Sequence, residues 1–563
     1  MVCIAARFGI MRPDSEQNTG HAPSIVQNLS PCRKMQRMHR IATTALTAAL
    51  ACAALATTSS QSATFDVLIR NGRVLDGSGN PWQAADVGVR DGRVAALGRL
   101  GDATAARVID AAGMIVAPGF IDVHSHAAAG LAGTLKEGRA LVTQGITTVV
   151  LNPDGGGPTD LKTQRAGYEQ RGIGVNVALY VPHGSIRREV LAMDDRAPTS
   201  AELERMVSLA RAGMAAGGIG LSSGLYYAPG SYAKLEEVIA LAKVASEFGG
   251  VYESHIRDEA DYNIGVVAAV EEVIRVADEA RLPGIVAHMK ALGPASWGLS
   301  KTLVARIQQA RDRGVQVYAD QYPYDASSTG LEAALVPRWA EVGGTAELRK
   351  RIDGPEHSRL AREMAANLER RGGAKTLVIA RYQPDVSLEG KSLDEIARAK
   401  RMAPVEAAID LIMKGGASVV SFNMSEPDIE LIMRQPFTMT CTDGDLVAPG
   451  QGKPHPRGNG AFARKLRVYV RERGVVDLPF AIRSMTSLPA SVYGMKDRGV
   501  LRPGAWADVL VFDPATVRDV ATYQDPHQMS AGIQYAIVNG VVVKDAGSFT
   551  GKLPGKLVAP ERK

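Results

Sequence analysis

The residues best suited to chemistry are two histidines at the end of an apolar run. Residues 114–123 are largely apolar and predict a buried strand, which leads into Asp122-Val123-His124-Ser125-His126. Side chains two positions apart in a strand point to the same face, so His124 and His126 aim at one place. Two neutral imidazoles that converge in this way are typical of a divalent metal site. Two histidines that merely pack at a surface are the alternative that this spacing alone leaves open.

More polar residues stand where other predicted strands end. Of the eight histidines beyond residue 63, five lie at such ends: His124, His126, His183, His255 and His288. Asp154 and Asp443 also end strands. In a barrel of parallel strands these ends line one mouth, where barrel enzymes carry out their chemistry. Four imidazoles and a carboxylate (His124, His126, His255, His288 and Asp443) form a ligand set that suits zinc. We expect His183 to line the mouth without a catalytic role.

Eight strand-like runs must position these residues. They alternate with helical stretches such as 234–248 and 266–280, and this alternation is typical of a parallel sheet. The runs are 114–126, 147–154, 175–182, 217–227, 250–259, 284–290, 315–324 and 437–444. The sequence therefore predicts an α/β fold, a TIM-type (β/α)8 barrel over residues 114–480. A charged, mostly helical insertion at about 331–436 separates the last two runs and is expected to cover the mouth.

Both ends of the chain carry hairpin signals. Residues 64–113 and 481–563 alternate between polar and apolar positions around the turn dipeptides Asn71-Gly72, Asp91-Gly92 and Asn539-Gly540. We expect the two segments to form one small β-sandwich domain. Two unrelated β appendages are the alternative.

The first 63 residues predict an N-terminal extension and a signal peptide. A basic patch at 33–40 precedes an apolar, alanine-rich run at 41–56 and then small residues. The run is too short for a comfortable membrane span, so we expect no stable span once the signal is cleaved. The predicted location is periplasmic or secreted.

Composition excludes two classes of protein. The net charge is +6, but several of the positive residues lie in the first 40 positions, so the rest of the chain is close to neutral. Nothing in the charge distribution therefore indicates a nucleic-acid-binding surface. Of the four cysteines only Cys441 lies beyond the predicted signal, so a disulfide framework is excluded. Cys441 itself is expected to pack in the core.

In combination, the motifs resemble those of the metal-dependent amidohydrolase superfamily, and more closely its D-aminoacylase (N-acyl-D-amino-acid deacylase) family. The motifs are 118–126 (PGFIDVHSH), 144–149 (QGITTV), 220–225 (GLSSGL), 254–259 (SHIRDE), 322–328 (YPYDASS), 442–444 (TDG) and 454–457 (PHPR). The resemblance covers about residues 65–550. It implies the same barrel and β-sandwich, a small-molecule substrate and one or two zinc ions per chain.

The resemblance also implies a set of metal ligands. Asp154 stands where the family typically has a metal-binding cysteine, and a carboxylate is a harder ligand than a thiolate. Asp154, His255 and His288 would form the better site. His124, His126 and Asp443 would be available to a second ion, and whether one or two ions bind stays open.

Further roles follow from the same resemblance. Asp443 would take a proton from the attacking water and give it to the leaving amine. Lys290 lies two positions after His288 and shares its face. The remaining substrate-binding candidates match family positions: Tyr322, Ser328 and Arg457 for the carboxylate of the substrate, and Tyr227 for a further pocket position.

The sequence is thus interpreted as that of a zinc-dependent hydrolase that cleaves N-acyl-D-amino acids, or related D-configured amides or dipeptides, to a carboxylate and a free amine. A cyclic-amide hydrolase of the hydantoinase or dihydroorotase kind is one alternative. A periplasmic metal- or solute-binding protein without turnover is the other. Nothing in the sequence indicates the oligomeric state.

Overall fold

The computed structural model describes residues 64–561 and consists of a parallel β/α barrel and a second sheet. The predicted N-terminal extension and signal peptide lie outside the described residues. Within the described part, no helix combines the length and the apolar character that crossing a membrane requires.

Eight parallel strands form the barrel, one from each of the eight predicted runs. They are Phe120–Asp122, Ile146–Leu151, Asn176–Pro182, Gly220–Gly224, Val251–His255, Gly284–Val286, Val317–Gln321 and Thr438–Thr440, each paired with its neighbour in chain order. The ring is nearly closed, because the first and last strands meet just beyond their C-terminal ends. There the backbone N–H of Asp443 donates to the carbonyl of His124 at 2.9 Å, and that of His126 donates to the carbonyl of Gly444 at 3.1 Å. The predicted barrel is confirmed.

Helices surround the barrel and turn their apolar stripes toward it. In Val266–Ala280, for example, Val266, Val270, Val273 and Ala277 are buried at helical spacing. The barrel helices are Ala128–Ala132, Arg139–Val142, Leu161–Arg171, His183–Leu191, Ser200–Ala215, Leu235–Glu247, Val266–Ala280, Ser300–Asp312, Glu426–Met433, Arg457–Arg464, Leu478–Met485 and Ser487–Val492, with a π-helix at Lys465–Glu472. Short 3-10 helices lie at Gly230–Tyr232 and Pro294–Ser296.

The two ends of the described chain build one small β domain, as predicted. Its strands form a single hydrogen-bonded sheet of nine: Thr64–Val74, Gln83–Arg90, Arg93–Gly98, Thr104–Asp110, Ile115–Pro118, Val509–Phe512, Ile533–Val538, Val541–Asp545 and Ser548–Phe549. Val509–Phe512 joins the two halves by pairing antiparallel to Ile115–Pro118. The sheet has its own core, in which Val67 and Val87 from one end contact Val509 and Ile537 from the other.

The predicted domain boundaries need two corrections. The run 114–126 is divided, because Ile115–Pro118 pairs within the terminal sheet and only Phe120–Asp122 belongs to the barrel. Gly119 joins them, and a Cβ there would overlap Thr147 of the second barrel strand. At the other end, position 481 falls inside the helix Leu478–Met485, which packs against the first and last barrel strands.

The insertion is a small layer of its own rather than helices alone. A three-stranded antiparallel sheet of Ser327–Gly330, Ser418–Ser421 and Leu377–Arg381 supports it. Its helices are Leu331–Leu335, Thr345–Asp353, His357–Arg370, Leu393–Lys400 and Pro404–Met413, with 3-10 turns at Arg338–Glu341 and Val386–Leu388. These elements share a separate hydrophobic core. Glu426–Met433 falls within the range predicted for the insertion but packs against the barrel helix Ser300–Asp312.

Candidate metal centre

The barrel brings the six predicted metal ligands to one mouth. His124 and His126 follow the first strand, Asp154 the second, His288 the sixth and Asp443 the eighth, while His255 ends the fifth. Three of them adopt left-handed backbone conformations, with φ of +56° at Asp154, +33° at His288 and +47° at Asp443. Such conformations are uncommon outside glycine and persist where the surrounding structure imposes them, typically at functional sites.

Asp154 lies at the centre of the cluster. Its Oδ1 is 3.4 Å from Nε2 of His124, 3.6 Å from Nδ1 of His255 and 3.5 Å from Nε2 of His288. Its Oδ2 is 3.4 Å from Nε2 of His126. Asp443 approaches from the other side, with Oδ1 at 3.2 Å from Nε2 of His126. The ligand atoms fall into two overlapping groups, His124–His126–Asp154–Asp443 and Asp154–His255–His288, and within each group all lie within 4.8 Å of one another.

The unpaired atoms of the cluster fit a cation. Nε2 of His124, Oδ1 of Asp154 and Nδ1 of His255 are buried and make no hydrogen bond to other described residues. Buried polar atoms of this kind are costly unless something compensates them. Imidazole nitrogens and carboxylate oxygens converging at these separations are the ligand set of a zinc site. Asp154 is the one residue that belongs to both groups, so it would be available to an ion in either.

A buried glutamate holds His124. Nδ1 of His124 lies 2.8 Å from Oε1 of Glu253, whose side chain is fully buried on the fifth strand. Because Nε2 faces the cluster, Nδ1 carries the proton of the neutral ring and donates a hydrogen bond to Glu253. This hydrogen bond fixes the tautomer and the ring orientation. Burial raises the pKa of Glu253 to about 7, against the opposing charge of His124.

His288 is held by its ring and by its backbone. Its Nδ1 is 2.7 Å from Nζ of Lys290 and 3.2 Å from Oε1 of Glu259, and Glu259 in turn accepts a short hydrogen bond from Lys290. Its backbone N–H donates to Oδ1 of Asp320 at 2.7 Å, on the neighbouring seventh strand. Lys290 and Glu259 therefore hold the ring of this residue, and Asp320 holds its left-handed backbone.

Asp443 is held in a similar way and is kept ionised. Thr442, the residue just before Asp443, donates hydrogen bonds from its backbone N–H and its hydroxyl to Asp122. Nη1 of Arg457 lies 2.5 Å from Oδ2 of Asp443. Burial would raise the pKa of Asp443, but the Arg457 guanidinium and the neighbouring histidines hold that pKa well below its ordinary value.

The predicted substrate-binding residues lie beside the cluster. Ten of the eleven predicted site residues line one cavity of about 580 Å³, and His124 lies buried beneath it. Lys290 and Arg457 both face the ring of Tyr322, with Nζ at 5.7 Å and Cζ at 4.6 Å from its centroid. Ser328, on the first insertion strand, and Tyr227, after the fourth barrel strand, complete the set.

One expected position is wrong. His183 does not line the cavity; it is fully buried, and its Nε2 lies 2.8 Å from Oε1 of Glu237 on the helix Leu235–Glu247. Arg187 also pairs with this glutamate, so the histidine belongs to a buried ion network between two barrel helices. Cys441 is buried, as expected.

The sequence reasoning missed the carboxylates beneath the ligands. Glu253 lies two positions before His255 and so points to the interior of the barrel on the same strand face, a signal that was available. Asp320 stands in the same relation to Tyr322. Glu259 lies in a loop, where no periodicity predicts its direction.

Comparisons with known proteins agree with this geometry. A model of the amidohydrolase family matches residues 107–544. A D-aminoacylase of Alcaligenes xylosoxydans xylosoxydans is 34% identical over 525 residues, which cover 89% of this chain and 99% of the relative. An N-acyl-D-glutamate deacylase of the same organism is 36% identical over 501 residues, which cover 85% and 93%.

A solved structure extends the likeness to three dimensions. The N-acyl-D-glutamate deacylase of Bordetella bronchiseptica, crystallised with zinc and a phosphonate inhibitor, is 36% identical to this chain and superposes with a TM-score of 0.77. The match covers 88% of this chain and 100% of that one. The chain therefore belongs to the amidohydrolase family and, within it, to the D-aminoacylase family.

Proposed function

We propose that this protein is a zinc-dependent hydrolase that cleaves the linear amide bond of N-acyl-D-amino acids to give a carboxylate and a free D-amino acid. One observation carries the proposal: six ligand groups, one of them the ionised Asp443, lie together with two cationic side chains at or directly beneath one cavity. The named activities of the D-aminoacylase and N-acyl-D-glutamate deacylase relatives support the D-configured substrate.

The residues present fit one or two zinc ions. Asp154, His255 and His288 would hold one ion, and His124, His126 and Asp443 would hold a second, with Asp154 shared between them. When bound, zinc supplies Lewis acidity, which makes water a better nucleophile at neutral pH and polarises the amide carbonyl.

Asp443 is the proposed proton carrier. Its Oδ2 is held by Arg457, and its Oδ1 faces the ligand cluster, so Oδ1 is the oxygen that can act on the water when the second ion is not bound. Because its pKa is lowered, Asp443 is ionised across the physiological range and can take the proton of the attacking water. The same oxygen then delivers that proton to the departing amine, which a neutral carboxylic acid does readily.

The α-carboxylate of the substrate is proposed to bind among Lys290, Tyr322, Ser328 and Arg457. The lysine and the arginine converge over one tyrosine ring, which places two donors and a hydroxyl on one side of the cluster. An arginine fork and an ammonium group are suited to an anionic head group. Tyr227 adds a wall on the side of His255, with the two ring centroids 4.6 Å apart.

Two other functions are distinguishable by experiment. A cyclic-amide hydrolase would hydrolyse hydantoins or dihydropyrimidines and would have less use for Lys290 and Arg457 together. A binding protein without turnover would keep its ligand affinity in Asp443→Asn and release no product.

The test is metal analysis of the purified protein combined with a product assay. We expect zinc at one or two equivalents per chain, and hydrolysis of N-acetyl-D-amino acids but not of their L-enantiomers or of hydantoins. A protein that carries zinc and cleaves hydantoins faster than any N-acetyl-D-amino acid would contradict the proposal.

We also propose export of the protein to the periplasm or beyond. The basic patch at 33–40 followed by the apolar run at 41–56 supports this location. Cell fractionation of the natural host with an antibody against the barrel, together with N-terminal sequencing of the recovered protein, tests it. Intact residues 33–63 on protein recovered from the cytosol would contradict it.

A further inference from the structure

Four cationic side chains line the cavity, and they differ in their partners. Lys290 pairs with Glu259, and Arg457 pairs with Asp443. Arg188 and Arg371 line the same cavity, but neither forms an ion pair with any residue between 64 and 561. Arg188 is exposed at the rim, where water solvates it, whereas only 1% of Arg371 is exposed.

The contacts of Arg371 leave half of its guanidinium fork free. Its Nη2 donates to the hydroxyl of Tyr226 at 3.1 Å, and its Nε donates to the carbonyl of Ala334 at 3.3 Å. Its Nη1 has no hydrogen-bond partner among the described residues, and neither does the nearby hydroxyl of Tyr262. Glu259 is close enough for its charge to act on Arg371, but that carboxylate is already paired with Lys290. A guanidinium stays charged in proteins, so its burial without an ion-pair partner of its own costs free energy.

Arg371 also lies close to the reactive centre. Its partner Tyr226 lines the cavity, and the Tyr226 ring centroid is 5.2 Å from that of the ligand His255. Arg371 comes from the insertion, at the end of the helix His357–Arg370, whereas Lys290 and Tyr322 of the proposed α-carboxylate site follow barrel strands. The low exposure of Arg371 does not argue against a role in binding, because Tyr322, in the proposed α-carboxylate site, lines the same cavity and is also only 1% exposed.

We infer that Arg371 is a specificity-determining residue that binds a second carboxylate, on the side chain of the D-amino acid. The inference rests on the proposed function and narrows its substrate class to N-acyl-D-amino acids with acidic side chains. The α-carboxylate is already provided for by Lys290, Tyr322 and Arg457, so the buried Arg371, which has no ion-pair partner, is available to a further negative charge. A side-chain carboxylate would pair with Nη1 and supply the missing charge, and a fork geometry favours a carboxylate over a neutral amide.

The experiment compares matched acid and amide substrates on the zinc-loaded enzyme. We expect kcat/KM for N-acetyl-D-glutamate to exceed that for N-acetyl-D-glutamine by about 100-fold, since the two differ only in the charged group. N-acetyl-D-aspartate and N-acetyl-D-asparagine form a second pair, and a preference for the acid in either pair supports the inference.

Variants separate Arg371 from the general charge of the cavity. Arg371→Met should lower kcat/KM for the acidic substrate by about 100-fold and for its amide by less than about threefold. Arg371→Lys should restore part of the loss, because it returns a charge without the fork. Arg188→Met is the matched control: it removes the same formal charge from the rim and should change both substrates by no more than about threefold.

Several results would overturn the inference. The first is equal kcat/KM of the wild type for acid and amide. The second is a preference for the acid that survives in Arg371→Met. The third is a loss of kcat/KM in Arg188→Met as large as that in Arg371→Met. A further one is a loss shared by acid and amide, which would mark Arg371 as a structural link between Tyr226 and the insertion. If Arg371→Met does not fold, the wild-type preference and Arg371→Lys decide.

A binding measurement separates this inference from the proposed function. D-glutamate should raise the melting temperature of the zinc-loaded wild type more than D-glutamine does, and Arg371→Met should abolish the difference. If no N-acetyl-D-amino acid is hydrolysed but this difference is observed, the proposed reaction is wrong and the acidic specificity stands. If hydrolysis occurs and the difference in melting temperature is absent, the proposed reaction stands and the acidic specificity is wrong.

Discussion

Two sets of polar groups are buried around the last barrel strand, one facing the cavity and one behind the strand. On the cavity side, Asp443 follows the strand and is paired with Arg457 at 2.5 Å. Behind it, Lys465 lies on the π-helix Lys465–Glu472 and reaches the hydroxyls of Thr440 and Ser484 at 2.8 Å each. Within residues 64–561 no carboxylate pairs with this lysine.

The difference shows what burial does to a charge with and without a partner. Arg457 opposes the effect of burial on Asp443 and keeps the carboxylate ionised. Burial of Lys465 lowers its pKa to about 7, because hydroxyl groups alone do not offset desolvation of the ammonium. We conclude that the cavity side is arranged to keep its groups charged for chemistry, whereas the lysine behind the strand only costs stability.

Removing the shared ligand should have the largest effect. Asp154→Ala takes a ligand atom from both groups, so zinc content should fall and activity should drop by at least about a thousandfold as the Lewis acid is lost. Metal analysis and kcat/KM on the best substrate measure this. Chelation of the wild type followed by zinc addition is the control, and full activity in a zinc-free variant would contradict the assignment.

Neutralising the cavity carboxylate should come next. Asp443→Asn keeps the size of the side chain but cannot carry the proton, so kcat should fall by roughly 10²- to 10⁴-fold. Zinc bound at Asp154, His255 and His288 should remain. A variant that keeps wild-type kcat would show that Asp443 is not the proton carrier.

Weakening the hydrogen bond that holds His124 should have a smaller effect than removing a ligand or the proton carrier. In Glu253→Gln the hydrogen bond from His124 loses an acceptor that is charged above about pH 7, so above that pH affinity for the more weakly held ion should fall by about 10- to 100-fold. Competition with a chelator at fixed pH measures it. Glu237→Gln, which disturbs the buried network of His183, is the control and should leave zinc affinity unchanged.

Removing the unpaired lysine should stabilise the protein modestly. The folded pKa of Lys465 is about 7, below the unfolded value, so the folded state binds fewer protons between about pH 7 and 10. The lysine therefore costs stability that is greatest below pH 7 and disappears as the pH rises toward 10. Lys465→Met should gain on the order of 3 kcal/mol at pH 6 and little at pH 10.

Denaturant unfolding at the two pH values checks this prediction. In Lys465→Met the hydroxyls of Thr440 and Ser484 remain 3.5 Å apart, and the hydroxyl of Ser484 still donates to the carbonyl of Ala481. Neither hydroxyl is therefore left without a hydrogen-bond partner. Lys243→Met, on an exposed helix position, is the control and should show no such pH dependence. A gain that is equal at both pH values would point to packing rather than charge.

Most of the barrel could be predicted because its signals are local. Each apolar run marks a strand, and each strand end marks a position at the mouth, so five of the six ligands and the direction of Lys290 followed from where they stand in the sequence. The role of Asp154 as a ligand followed from the family resemblance. The first run was misjudged because two consecutive buried strands, Ile115–Pro118 and Phe120–Asp122, read as one apolar segment. Only pairing with Val509–Phe512 assigns the first of them to the terminal sheet.

The sequence by itself determined the eight strands, the residues at their ends and, through its motifs, the family. Only the tertiary structure decided which charges are paired. It placed Glu253 under His124, set Arg457 against Asp443 and took His183 away from the mouth. It also left Arg371 on the cavity wall with no ion-pair partner among residues 64–561 and with Nη1 unbonded. The physical reason is that strand periodicity is a property of neighbouring residues, whereas ion pairing joins side chains that lie far apart in the chain and depends on how distant loops pack.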